Sequence, residues 1–548
     1  MTPSECGKVS LIDRSETETR MIDPPRNSAY DEVPYPDLCH SLTHPGRTAA
    51  IAVLLDMQPA PVENCRVLEL GCASGSNLMA MALGLPDSTF VGIDNSARQI
   101  ASAQQTVNAL GLRNVTFHHM DILDVTPEFG QFDYIIAHGI YSWVPPEVRD
   151  HLLAICKHNL SPRGIAYVSY NTFPGWHMLL MLREMMQYHT RKLNDPQERA
   201  SEARSFIINL AKMIPMGGQS AYASLFDTYL DSRHQAVAGH SGWQNSVLLH
   251  DELSEINEPV YFHQFAAHAG RHGLRYLAEA NFTKVLPNDL SDEAAEQLGK
   301  LAHNTIEMEQ YLDFVRNQTF RRTLLCHAEA RFDRTLRADR VRGLYVASRA
   351  QPTGKISDSP DSTAQFHSAD GSSFSTDHPL TAAALRHLCA IAPRALSFTA
   401  LVQVACDQLN IDQPDDDDVY LLALNLLQAY VYSTQLVELL AYDPAFTIEI
   451  SERPQASPLA RLQVENVPLV SNLRHEQVEL DGLTYAVLRL LDGQRDRAAL
   501  MDTLYEFIES GRVPPPEENM TPEQVRQALA DDLNRALHWL ARAALLVK

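Results

Sequence analysis

The sequence predicts an α/β fold: an open, mostly parallel sheet with helices wound over it, then a mostly helical region, then a helix-rich C-terminal module. Three observations carry this. The stretch Val67–Asn77, VLELGCASGSN, runs an apolar strand into a turn of small residues and on into the helix-like run Leu78–Leu83. Further apolar runs follow at the spacing of β-α-β units, at Thr89–Ile93, Asn114–His118 and Phe132–Ala137. From about residue 176 onward the pattern changes, and apolar residues recur at helical spacing.

Taken in order, residues 1–27 are polar, end near Pro24-Pro25, and are expected to be disordered. Tyr30–Pro45 is aromatic and proline-rich and reads as a lid. Thr48–Asp56 is a helix leading into the first strand, and residues 28–178 form the first domain, with its sheet at roughly 60–172. The fifth strand is expected at Gly164–Tyr170, after a turn at Leu160–Gly164. A helical domain at 179–350 includes Leu179–Leu193, Glu202–Met213, Tyr222–Leu230 and a helix near Leu290–Val315, and it ends in a strand at Val341–Ser348. Residues 351–378 read as a linker, being rich in Ser, Asp, Pro and Gly. In 379–548, helices at Leu380–Ile391, Val419–Leu427, Thr484–Leu491 and Val525–Ala544 interleave with strand-like Leu436–Leu440 and Leu545–Val547, a winged-helix-like pattern. Asp415–Asp418 reads as an exposed charge run at a helix start or loop.

Composition sets bounds on function. A chain of 548 residues is too long for one core and implies two to four domains. It contains no apolar run of 18 residues, so no membrane insertion is expected. The polar N-terminus does not read as a signal peptide. Its 8 cysteines are scattered without a C-x-x-C, which fits a reducing cytoplasm and suggests neither a zinc knuckle nor a disulfide framework. The net charge of −23 argues against nucleic acid as the main partner. The acidity either steers basic substrates, such as lysine-bearing protein segments, or serves solubility alone.

The glycine turn narrows the ligand. Gly71, Ala73 and Gly75 alternate as G-x-A-x-G, unlike the G-x-G-x-x-G of dinucleotide binders. No Lys-Ser/Thr pair follows, which excludes a phosphate-binding P-loop. Glu69, just before the turn, suits a ligand with an amino acid's ammonium group and no pyrophosphate. Asp94, 19 residues after Gly75, is placed to hold two ribose hydroxyls. Asp121, beside Ile122, is placed to accept from an adenine amino group. With Asn77, and with His138-Gly139 after the fourth strand, this set points to S-adenosylmethionine (SAM). It resembles the class I SAM-dependent methyltransferases, whose sheet is Rossmann-like.

More specific strings narrow the resemblance. They are Tyr30-Asp31 with Pro34-Tyr35, Thr43-His44-Pro45, HGIYSW at 138–143, YNTFPGW at 170–176, His250-Asp251-Glu252, NEPVYF at 257–262, and Thr319-Phe320-Arg321. Together they are similar to bacterial methyltransferases carrying a methyltransferase regulatory domain, a group that includes rickettsial protein lysine methyltransferases. The resemblance implies a protein or peptide acceptor methylated on lysine side chains, and a homodimer through the helical middle domain.

Ligands of open α/β sheets bind at strand C-terminal ends. Tyr141, Trp143, Tyr170, Asn171 and Trp176 lie there and are the catalytic candidates, as hydroxyls, a carbonyl and aromatic walls that orient a neutral amine; for the two tryptophans the other reading is core packing. Tyr30 and Tyr35 are read as closing over the cofactor. His138 is either a base or a satisfier of backbone groups. His44, His118 and His119 lack metal-ligand spacing, so no metal is expected. The fourth strand ends in AHGIY rather than Asn/Asp-Pro-Pro-Tyr, against methylation of adenine or glutamine. Two further readings stand beside the first: a small-molecule or peptide-tailoring methyltransferase of secondary metabolism, and a non-catalytic SAM-binding regulator.

Overall fold

The computed structural model describes residues 33, 35, 39–214, 221–236, 241–353, 363–514 and 520–547. Residues 1–27 and Tyr30 lie outside them. Helix α1 (Pro45–Leu54) starts at His44, whose Nδ1 accepts the Gly46 N–H at 3.0 Å. Strands β1 (Arg66–Leu70), β2 (Thr89–Asp94), β3 (Val115–His119), β4 (Phe132–Ala137) and β5 (Leu160–Asn171) follow. They alternate with α2 (Ser76–Gly84), α3 (Ala97–Leu110) and α4 (Pro146–His158). Strands β1, β4 and β5 are buried along most of their length because both faces of the sheet are covered.

The order is β3-β2-β1-β4-β5, all parallel, extended by β7 (Phe320–His327) and β6 (Leu274–Glu279), with β7 antiparallel to both neighbours. The strand order reverses between β1 and β4, so a crevice opens at their C-terminal ends. Two expectations are corrected here. No turn separates 160 from 164, because β5 already pairs with β4 at Leu160. Nor does the sheet end near residue 172; two strands from the expected helical region complete it. Between them stand α9 (Phe262–Arg271), before β6, and α10 (Asp292–Leu301) and α11 (Thr305–Arg316), before β7. Buried Arg321 fastens this addition, meeting Glu279 at 3.4 Å, Glu309 at 2.8 Å and Asp313 at 2.9 Å. Paired buried charges of this kind are tolerated because each has its partner.

The helical part proper is the insertion between β5 and α9: α5 (Trp176–Thr190), α6 (Pro196–Met213), α7 (Ala221–Ala236) and α8 (Ser241–Asp251). It has its own core of Leu182, Met186, Ala203, Ile207 and Phe226, which also takes in Val33. His250 Nε2 lies 2.7 Å from the Val33 carbonyl, so the N-terminal segment is laid onto this layer.

The C-terminal part divides in two. Strands β8 (Tyr345–Ala347), β12 (Leu396–Ser397) and β13 (Glu438–Leu440) form a small sheet. With α12 (Pro379–Ile391), α13 (Phe398–Leu409) and α14 (Asp416–Tyr432) they share one continuous core with Ile51, Phe90 and Tyr134 of the first domain. The expected linker contains β9 (Gln351–Pro352), β10 (Ala364–His367) and β11 (Ser373–Thr376), an antiparallel sheet of three. The acidic run starts α14, with Asp415 as its cap and three acids in the first turn, where the helix dipole favours negative charge. The last unit has a separate core that includes Val487, Leu500, Leu533 and Leu537. It comprises α15 (Pro458–Gln463), the hairpin β14 (Leu469–Ser471) and β15 (Gln477–Glu479), and α16 (Gly482–Leu490), α17 (Arg497–Glu509) and α18 (Pro522–Arg542). Among the described residues, no helix is long and apolar enough to cross a membrane.

Candidate active site

The turn after β1 is bent as its small residues allow. Gly71 and Gly75 have φ of +70° and +81°, and Ala73 sits at +49°. A Cβ on Gly75 would lie 2.3 Å from the Phe117 ring, and one on Gly71 would lie 2.2 Å from Ile140 Cδ1. The turn is tied to β2: Gly71 and Cys72 donate to the Ile93 carbonyl at 2.9 and 3.0 Å. Asp94 completes the tie, accepting from the Ala73 N–H at 2.9 Å and from the Ser96 N–H at 2.8 Å. Asp121 accepts from the Leu123 N–H at 2.9 Å and stays exposed.

Glu69 is the group the fold treats least kindly. Its Oε1 accepts from Asn77 Nδ2 at 2.7 Å, while Oε2 is buried and, among the described residues, has no partner. Burial pushes its carboxyl up to about 8, against the pull of the Asn77 hydrogen bond. An ammonium group beside Oε2 would supply both the missing hydrogen bond and the missing charge. Asn77 is itself held: its Oδ1 accepts from the His40 N–H at 2.9 Å, and His475 Nε2 lies 2.9 Å from the same oxygen.

A cavity of about 1070 Å³ opens over this turn. That is at the upper end of small-molecule sites, roughly 300–1,000 Å³. Its lining includes Glu69, Gly71, Ala73, Asn77, Asp94, Asp121, Ile122, His138 and Gly139, together with Tyr35, Trp143, Asn171 and Trp176. Gly75 stands behind the wall and acts through the backbone alone. Asn171 donates to Asn257 Oδ1 at 2.9 Å, and among the described residues its own Oδ1 takes no protein donor. The indole N–H of Trp143 is buried and, among the described residues, has no partner.

Two catalytic candidates are elsewhere. Tyr170 is fully buried, its ring stacked 4.0 Å from Phe265 and its hydroxyl 3.0 Å from Thr323 Oγ1. Tyr141 also lies in the core, with its hydroxyl 2.8 Å from His268 Nδ1. Both sit on strand-end positions, but they face the α4 and α9 side of the sheet. Behind Tyr141, the ligand atoms of Asp150, His268 and His272 lie within 4.8 Å of one another, a set able to hold a metal ion. These three lie off the cavity and are already hydrogen-bonded together, at 3.2 and 3.0 Å.

His138 is a wall and a poor base. Its ring lies 3.8 Å from that of His40, and Nδ1 lies 3.0 Å from the Tyr167 hydroxyl. Burial, with His40 and Arg322 nearby, holds it well below the usual imidazole range, so it stays neutral and weakly basic. Several lining residues were not anticipated: His40, Tyr229, His250, Asp251 and Arg322. His250 and Asp251 stood in a recognisable string without a role, and Arg322 belongs to the unforeseen β7.

Comparison with known proteins agrees with this geometry. Residues 61–202 match the family model described as a methyltransferase domain, 244–327 a predicted methyltransferase regulatory domain, and 452–545 the PKMT C-terminal winged helix domain. An uncharacterized protein of Rickettsia prowazekii is 32% identical, over 95% of this chain and 94% of its own length. The chain belongs to the bacterial methyltransferases that carry a methyltransferase regulatory domain. PKMT2 from Rickettsia typhi superposes with a TM-score of 0.82 at 26% identity, covering 94% of this chain and all (100%) of that one. A second structure of PKMT2, in complex with AdoHcy, gives 0.81. This regulatory-domain methyltransferase is therefore a SAM-dependent enzyme. Its regulatory segment is no separate body, since 244–327 contains both strands that complete the sheet.

Proposed function

We propose that this methyltransferase acts on lysine side chains of a protein or peptide, and that Glu69, Asp94 and Asp121 hold the cofactor's ammonium, ribose and adenine groups in turn. When bound, SAM supplies an electrophilic methyl group on a sulfonium. The residues present fit it: an orphaned carboxylate oxygen awaits an ammonium, and two further acids follow at successive strand ends. The observation that carries the acceptor reading is that Trp143, Trp176, Asn171 and Asp251 line the same cavity as the three acids. Indole faces and a carboxylate attract an ammonium. Desolvation among them favours its neutral amine, and Asn171 Oδ1 can accept an amine N–H and so aim the lone pair. Positioning of this kind is the main requirement of an in-line transfer. The PKMT labels of the matched winged helix and of the R. typhi structures support the same acceptor.

The test is incubation with methyl-labelled SAM and a cell lysate. Label should appear in protein and survive as methylated lysine on hydrolysis. Label confined to small molecules refutes the acceptor reading.

A further inference from the structure

The winged-helix unit meets the cofactor wall through Gln463, at Ser76, and through the tip of the β14–β15 hairpin, at Asn77. That tip, Asn472–Glu476, is built to stay in one shape. Asn472 Oδ1 accepts the N–H groups of Arg474 and Glu476, both at 2.9 Å, and the His475 N–H donates to the Asn472 carbonyl at 3.1 Å. His475 is held at φ +60°. The tip is also anchored outside its own unit. Arg474, only 1% exposed, donates to the Pro393 carbonyl at 2.6 Å and pairs with Glu438. Arg47 of α1 donates to the Arg474 carbonyl at 3.0 Å and pairs with Glu438 at 2.8 Å and Glu476 at 3.3 Å. Gln463 reaches Ser76 at 3.3 Å, and Gln477 reaches the Cys39 carbonyl at 3.2 Å.

Pinned in this way, the His475 ring packs 5.3 Å from that of His44 and sets its Nε2 against the Asn77 amide, without itself lining the cavity. An asparagine amide is nearly symmetric in shape, so its neighbours decide which end is oxygen. Here the His40 N–H and His475 Nε2, each at 2.9 Å, face Oδ1, while the Thr43 hydroxyl lies between the two ends of the amide, 3.2 Å from Oδ1 and 3.1 Å from Nδ2, and so favours neither. Nδ2 is thereby turned toward Glu69 Oε1 at 2.7 Å. The reverse orientation would set an oxygen against a carboxylate. The buried imidazole is held neutral, its basicity lowered by desolvation and by the Arg47 charge, so it serves as a donor without bringing a proton to the site.

We propose that His475 is a positioning residue for the cofactor: from the winged-helix unit it orients Asn77, and through Asn77 the Glu69 carboxylate. The C-terminal unit is then part of the cofactor site, 398 residues distant in sequence from the asparagine it sets. This rests on the Glu69 reading above, and the experiment separates the two.

The full-length protein is titrated with S-adenosylhomocysteine by calorimetry as wild type, His475→Asn, His475→Gln, Glu69→Gln and the Glu69→Gln/His475→Asn double variant. Asparagine tolerates the positive φ but is too short to reach Asn77, whereas glutamine restores a donor at that reach. His475→Asn should weaken binding by about tenfold and His475→Gln by no more than about threefold, the loss and recovery of one buried hydrogen bond. In the Glu69→Gln background, His475→Asn should cost less than about twofold, since residues acting in one chain are not additive. Unchanged affinity in a folded His475→Asn protein overturns the proposal, as does an equal loss in both backgrounds. Unchanged affinity in Glu69→Gln alone overturns the Glu69 reading instead.

Discussion

Replacing Glu69 with glutamine keeps the shape of the side chain and removes its charge, and the structure gives opposite signs for the two consequences. In the free protein the carboxyl is pushed from 4.5 up to about 8 by burial. At about 1.4 kcal/mol per tenfold, keeping it ionised costs the fold on the order of 5 kcal/mol. The sign follows from linkage: the folded state holds the proton between 4.5 and about 8 while the unfolded state has lost it, so stability falls as pH rises through that window. Glutamine cannot ionise. The variant should therefore gain stability relative to wild type across this range, by up to a few kcal/mol near about pH 9. Cofactor affinity should move the other way. Loss of a charge-assisted hydrogen bond is worth roughly 1.5–3 kcal/mol, a weakening of about ten- to a hundredfold. Calorimetry near neutral pH measures the second effect, and thermal melts at about pH 6 and about pH 9 the first. Near about pH 6.5, wild-type binding should also release a proton as Glu69 ionises, and the variant should not. Unchanged affinity, or a variant that loses stability relative to wild type as pH rises, would refute the reasoning.

Other perturbations separate cofactor, acceptor and scaffold. Asp94→Ala should weaken cofactor binding by roughly 1.5–3 kcal/mol and also lower the melting temperature, because Asp94 holds the Ala73 and Ser96 N–H groups; calorimetry and a melt read both. Trp176→Ala should spare cofactor affinity and reduce turnover, so a loss confined to cofactor binding would assign Trp176 to the cofactor instead. Tyr170→Phe should leave turnover unchanged and cost about 1 kcal/mol of stability, since its hydroxyl bonds Thr323 in the core, away from the cavity; a large drop in turnover would contradict this. Gly75→Ala should destabilise by about 1–3 kcal/mol in denaturant unfolding, from positive φ and the Phe117 ring at 2.3 Å.

The cofactor half of the site was legible because it is local. A strand, a turn that needs glycine, and acids at the ends of successive strands are written within residues 67–122. The acceptor half was legible only in part, because period and position do not reveal which face of the sheet a side chain takes. Tyr141 and Trp143 are two residues apart after the same strand, yet one enters the core and the other the cavity. Strands β6 and β7 escaped because helices stand around them and β7 crosses antiparallel, which no β-α-β spacing foretells. The expected linker hid three short strands because its polar composition masks alternation. His475 carried no local signal at all; its meaning arises only where a distant hairpin meets Asn77.

Methyl transfer to a lysine bound beside the cofactor in this cavity is what the proposed function requires. Tandem mass spectrometry of a protein acceptor, incubated with SAM and either wild-type or Trp176→Ala enzyme, tests it most directly. Methyl groups on lysine Nζ with the wild type, and far fewer with the variant, are the predicted result. Protein left unmodified by the wild type while SAM is consumed on small molecules would contradict it.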